Sequence, residues 1–106
     1  MSKHILEQLD DVVAERSKQD PNVSYVASLF DKGLEKIQKK VNEESLEAIL
    51  AAETEDKQAL VSEVADLWFH SIVLLAYKNA SVGDVVSELE RRFGVSGIEE
   101  KASRTK

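Results

Sequence analysis

The chain has 106 residues, no cysteine, one proline and four glycines, enough for one continuous hydrophobic core and too little Gly or Pro for a flexible interdomain linker. Without cysteine there are no disulfides, thiolate metal ligands or cysteine nucleophiles. Fourteen Lys and Arg against 20 Asp and Glu give a net charge of -6, which disfavours diffuse binding to a nucleic-acid polymer but leaves a local phosphate site open.

In chain order, "MSKHILEQLDDVV" interrupts its apolar residues with acids and so lacks the apolar region of a secretory signal; the cytoplasm is the default expectation. Ile5, Leu6, Leu9, Val12 and Val13 fit one face of a short amphipathic helix, which "SKQDPN" interrupts. Asp20 with Pro21 predicts a capped restart near residue 22. Val26, Phe30, Leu34, Ile37 and Val41 recur at three- and four-residue steps, with Gly33 on the same side where another helix could approach closely. Asn42 either bends this helix or separates two, and the apolar pattern resumes at Leu46, Ala48, Ile49 and Leu50.

"AETEDKQ" is a polar connection to a further helix that carries Leu60, Val64, Leu67, Trp68, Ser71, Leu74 and Leu75. Its most apolar part, Leu67 to Ala76, is about half the roughly 20 residues needed to cross a bilayer, and reads as buried protein rather than a membrane span. Ser81 and Asp84 have the spacing of a capping box ahead of Val82, Val85, Val86, Leu89 and Phe93, with Gly94 as C-cap. The expected fold is therefore all-α, a compact bundle of about four or five helices over residues 1–94, followed by a polar tail over 95–106. Between residues 46 and 52, and again between 67 and 77, apolar side chains point in nearly every direction, so a homodimer is expected to complete the core.

Glu44 and Glu47 are three residues apart, as are Glu63 and Asp66, so each pair turns about 60 degrees around its helix and can converge on one point. Glu44 falls on the packed side and Glu47 borders it, while Glu63, Asp66 and His70 flank Leu67 and Leu74. Acids gathered at an apolar edge repel one another and lose hydration, and Mg2+ or Mn2+, which accept hard oxygen ligands, would offset both costs. The alternative is solvated helix-forming Glu. His70 lacks the Glu-x-x-His spacing of a di-iron bundle and reads first as a core or supporting histidine. Lys32, Lys36, Lys39 and Lys40 lie beside the first acidic pair, where Lys36 and Lys40 could contact phosphate or simply pair with helix acids. Arg91 and Arg92 could join them or stabilise their own helix end, and Lys101 and Arg104 could close over a ligand or solubilise the tail.

The blocks "SYVASLFDKGLEKIQKKVNEESLEAILAA", "EVADLWFHSIVLL", "SVGDVVSELERRFG" and "SGIEEKASR", in this order, closely resemble the phosphoribosyl-ATP pyrophosphatase family of histidine biosynthesis, one of the all-helical nucleoside triphosphate pyrophosphatases. The resemblance implies metal-binding acids at Glu44, Glu47, Glu63 and Asp66, an auxiliary acid at Glu43, a phosphate contact at Lys40, and a homodimer. Asn42 stands where the family commonly has glycine. The implied reaction is Mg2+-dependent hydrolysis of phosphoribosyl-ATP to phosphoribosyl-AMP and pyrophosphate. The alternative readings are a related pyrophosphatase acting on free or noncanonical nucleoside triphosphates, and a noncatalytic helical interaction protein with a structural cation.

Overall fold

The computed structural model describes residues 4–94, and every regular element among them is an α-helix. α1 (Ile5–Arg16) begins at His4, whose ring nitrogen accepts the Leu6 amide. The chain then turns through residues 17–24, and here the expected restart near residue 22 is corrected. Asp20 does bind the Asn22 amide with its carboxylate at 2.9 Å, and its carbonyl accepts the amides of Val23 and Ser24, but this winds only a turn. The helix starts three residues later, because Ser24 accepts the Ala27 amide at 3.1 Å and donates its hydroxyl back to the Arg16 carbonyl, fastening the loop to the end of α1.

α2 (Tyr25–Lys32) and α3 (Leu34–Ala52) divide what the apolar periodicity presents as one helix. The break is at Gly33, with φ 96° and ψ -175°, a backbone conformation open essentially to glycine alone. A Cβ at Gly33 would meet nothing nearer than the Tyr77 hydroxyl at 3.7 Å, so the backbone angle, not a close helix approach, requires glycine. Asn42 does not separate two helices, since α3 runs unbroken through it for 19 residues.

α4 (Lys57–Tyr77) is capped by Asp56, which accepts the Ala59 amide. It ends in a Schellman arrangement, with Asn79 at φ 62° and the Ala80 amide donating to the Leu75 carbonyl at 2.8 Å. At 21 residues it is, among the described residues, the one helix long and apolar enough by length and composition to cross a membrane, so the ten-residue apolar run belongs to an element twice its length. α5 (Val82–Phe93) carries the Ser81–Asp84 capping box, and Gly94 follows as C-cap.

Every helix contributes to the core: Val13 from α1, Val26 and Leu29 from α2, Ile37 from α3, Ile72 and Val73 from α4, and Val82 from α5. Burying each of these side chains stabilises the fold by roughly 1.5–3 kcal/mol relative to exposure. The most extensive packing joins α3 to α4, two long helices separated by four residues and so folded back on each other as a hairpin. Outside the core, Leu46, Ile49 and Leu50 of α3 and Val61 and Trp68 of α4 remain about half exposed.

Candidate functional site

The α3–α4 hairpin brings the two acidic pairs face to face. Glu47 and Glu63 each lie eight residues from Glu55 in the turn, and Glu44 and Asp66 each lie eleven. Equal separation from the turn puts each pair at one level of an antiparallel hairpin, because both helices rise about 1.5 Å per residue. Oxygen atoms of Glu44, Glu63 and Asp66 accordingly lie within 4.8 Å of one another. Glu47 joins the group through Glu63, whose carboxyl it faces within hydrogen-bonding reach.

Burial across the cluster is graded: Glu44 is buried, Glu63 half-buried and Asp66 exposed. One oxygen of Glu44 and one of Glu63 are fully enclosed without a hydrogen-bond partner. Hydrogen bonding to Glu47, then loss of hydration and the charges of Glu47, Asp66 and Glu44, push the Glu63 carboxyl above the ordinary carboxylate range. Enclosed anionic oxygens normally have partners, and one lacking a partner keeps the cost of its lost hydration. Converging hard oxygens with vacant lone pairs are the donor set that a divalent cation requires.

Lys40 borders the cluster on α3, its Nζ 3.3 Å from Glu43 and 3.6 Å from Glu44. It is only about one-quarter exposed, and the adjoining carboxylates hold its pKa above that of a free lysine despite the opposing effect of burial. Lys36 lies one turn earlier on the same helix. Arg91 and Arg92 both bind Glu88 on α5, Arg91 through two nitrogens at 3.0 and 2.7 Å and Arg92 at 2.9 Å. Lys101 and Arg104, with the rest of the 95–106 tail, lie outside the described residues.

Two residues complete the surroundings. His70 is buried one turn beyond Asp66, its Nδ1 2.8 Å from the Asp66 carbonyl and its Nε2 2.7 Å from the Tyr25 hydroxyl. Tyr25 opens α2 and lies within electrostatic range of Lys40, Glu43, Glu44 and Asp66; burial is the main cause that raises its pKa. Sequence reasoning did not place Tyr25 in the site. The available signal was a tyrosine directly after a capping serine at a helix start.

The sequence pattern of the family described as "Phosphoribosyl-ATP pyrophosphohydrolase" matches residues 6–93, which include both acidic pairs and the whole helical core. The chain belongs to that family. It is 51% identical to the phosphoribosyl-ATP pyrophosphatase of Hydrogenovibrio crunogenus, over 100% of this chain and 97% of the relative. It is 54% identical to that of Aromatoleum aromaticum over 95% and 94%, and 52% identical to that of Nitrosospira multiformis over 94% and 83%. Phosphoribosyl-ATP pyrophosphohydrolases use a divalent cation, and the α3–α4 acids of this chain fit one on their own chemistry, through the two enclosed oxygens that otherwise lack partners.

Proposed function

We propose that the chain carries out its family's reaction at the α3–α4 acid cluster, hydrolysing phosphoribosyl-ATP to phosphoribosyl-AMP and pyrophosphate in histidine biosynthesis. The observation that carries the assignment to this site is the pair of enclosed, unpartnered oxygens on Glu44 and Glu63, in a chain matched to the family across its core. Glu44, Glu63 and Asp66 would hold Mg2+ directly, with Glu47 beside them as a fourth ligand; Mn2+ suits the same hard donors. When bound, the cation supplies charge neutralisation for the phosphate oxygens and for the departing pyrophosphate.

The protein's own groups do the rest. The four carboxylates form a strongly negative cluster that a nucleotide polyphosphate approaches only with its charge compensated, which ties substrate binding to cation binding. Lys40, held at the rim by Glu43 and Glu44, turns a positive charge toward phosphate, and Lys36 extends that charge by one helical turn. The water oxygen attacks the α-phosphorus, the bond from that phosphorus to the bridging oxygen breaks, and pyrophosphate leaves with the bonding electron pair. Glu43, the more exposed of the two Lys40 partners, is the assigned acceptor of the water's proton. Arg91 and Arg92, which bind Glu88, are assigned to the substrate phosphates, together with Lys101 and Arg104 from the tail over 95–106. Residues 1–94 form the catalytic domain.

The half-exposed apolar residues of α3 and α4 are assigned to a homodimer interface in a cytoplasmic enzyme. The same dimer would cover the apolar surface that gives α4 its membrane-like composition, and Glu63 and Asp66 within that helix oppose insertion into lipid. No nucleic-acid polymer is assigned as a partner.

A product-resolved assay with phosphoribosyl-ATP and Mg2+ tests the reading. Equimolar phosphoribosyl-AMP and pyrophosphate are expected, with little turnover of ATP. Glu44→Gln, Glu63→Gln and Asp66→Asn should each lower kcat/KM by about 100-fold or more, near 2.7 kcal/mol of transition-state stabilisation. Equal rates on ATP would point instead to a general nucleoside triphosphate pyrophosphatase, and unchanged rates in all three variants would remove the cluster from the mechanism.

A further inference from the structure

The link from Tyr25 to Asp66 has a fixed direction. A carbonyl oxygen can only accept, so the 2.8 Å contact to Asp66 requires the proton on Nδ1 of His70. In the neutral ring Nε2 is then an acceptor, and the Tyr25 hydroxyl donates to it at 2.7 Å. The chain of donors runs one way, from Tyr25 through His70 to the peptide of Asp66.

Each end of this chain is anchored differently. Tyr25 is the first residue of α2, behind the Ser24 cap, and the next turn plants Val26 and Leu29 in the core. Asp66 is exposed on the outer part of α4, where the helix ladder alone would hold its peptide. His70 itself is buried and packed edge-on between Tyr25 and Phe69, at 5.6 and 5.4 Å between ring centres. A buried imidazole with both nitrogens committed adds nothing to apolar packing that a leucine would not.

We propose that Tyr25 and His70 are positioning residues that set the rotation of α4 at Asp66, and so the aim of its carboxylate toward the cation. This rests on the reading that Asp66 holds a cation with Glu44 and Glu63. Cation sites tolerate only about 0.5 Å of misplacement, and groups that orient ligands from behind typically affect cation affinity or activity by 10- to 100-fold. Because the link reaches the Asp66 peptide and not its carboxylate, a smaller effect of about 3- to 10-fold is expected here.

Three variants separate the links. Tyr25→Phe removes only the hydroxyl. His70→Asn keeps a donor where Nδ1 stands and loses the Tyr25 bond, whereas His70→Gln keeps an acceptor where Nε2 stands and loses the Asp66 bond. Mn2+ binding is read by electron paramagnetic resonance without substrate, beside kcat, KM and thermal melting. Each variant should weaken Mn2+ binding and lower kcat by about 3- to 10-fold with KM nearly unchanged, and Tyr25→Phe combined with His70→Asn should lose no more than either alone. Lower melting temperatures with wild-type Mn2+ affinity and kcat, or additive losses in the double variant, overturn the proposal. Wild-type protein that binds no Mn2+ overturns the cation site itself, a failure distinguishable from the first.

Discussion

Glu44 and Glu63 are worse for folding than the residues a stable helical hairpin would choose. Each encloses an oxygen that nothing in the protein satisfies, and the Glu63 carboxyl is pushed upward by its acidic neighbours. Replacing Glu63 with Gln should therefore leave the cation-free protein as stable as wild type or more so, while removing the rise in melting temperature that Mg2+ gives the wild type. For a cation at 100 times its dissociation constant that rise corresponds to about 2.7 kcal/mol, and thermal melts in chelator and in Mg2+ measure both effects. Glu88 shows the opposite electrostatics. Arg91 and Arg92 hold its carboxyl down to about 2, from an ordinary value of 4.5. A depressed carboxylate stabilises the folded state fully above the unfolded value and loses that contribution as pH falls through 4.5 toward 2. Glu88→Gln should thus lower the melting temperature slightly near pH 6 and hardly at all near pH 2. The trio is solvent-exposed, so the difference should also shrink in high salt.

Among the elements, α5 depends on a residue far away in sequence. Its Ser81–Asp84 capping box satisfies the amides of those two residues, leaving Val82 and Gly83 between them. Asp10 of α1 supplies the missing acceptors, at 2.8 Å to Val82 and 3.4 Å to Gly83. Its negative charge also sits at the positive end of the α5 dipole. Asp10→Ala should cost about 1 kcal/mol and raise hydrogen exchange in the first turn of α5 more than in α3 or α4. Gly33 works at the same scale by interruption: its left-handed φ turns α2 away from the axis of α3, and so lets Tyr25 stand over His70.

Among the described residues, the five helices leave several large apolar side chains uncovered. Leu46, Ile49, Leu50, Val61 and Trp68 are each about half exposed, and an apolar groove of about 320 Å³ runs between α1, α4 and α5, with Trp68, Leu75 and Leu89 among its walls. A homodimer would bury these residues. Sedimentation at micromolar concentration should show a dimer, and Trp68→Glu should shift it toward monomer, since a charge enclosed in an apolar interface has no partner. A wild-type monomer at that concentration would count directly against the dimer.

The helical class, the capping of α5 and the presence of four well-spaced acids were legible in the sequence, because apolar period, capping residues and acid spacing are local properties. The family blocks added the substrate. Four features were not legible. Gly33 interrupts an apolar stripe that remains in phase on both sides, so periodicity passes over the break between α2 and α3. Asp20 with Pro21 carries the marks of a helix start, yet Ser24 wins because only the folded loop offers its hydroxyl the Arg16 carbonyl. Tyr25 and His70 meet across 45 residues, and Asp10 meets α5 across more than 70, separations at which no local pattern reports a contact. The sequence by itself determined the helical class and which acids ride on which helices. Only the tertiary structure decided that the α3–α4 hairpin levels the acids against one another, and that Tyr25 of α2 meets His70 one turn beyond Asp66, since the distances involved exist only after the chain has folded back on itself.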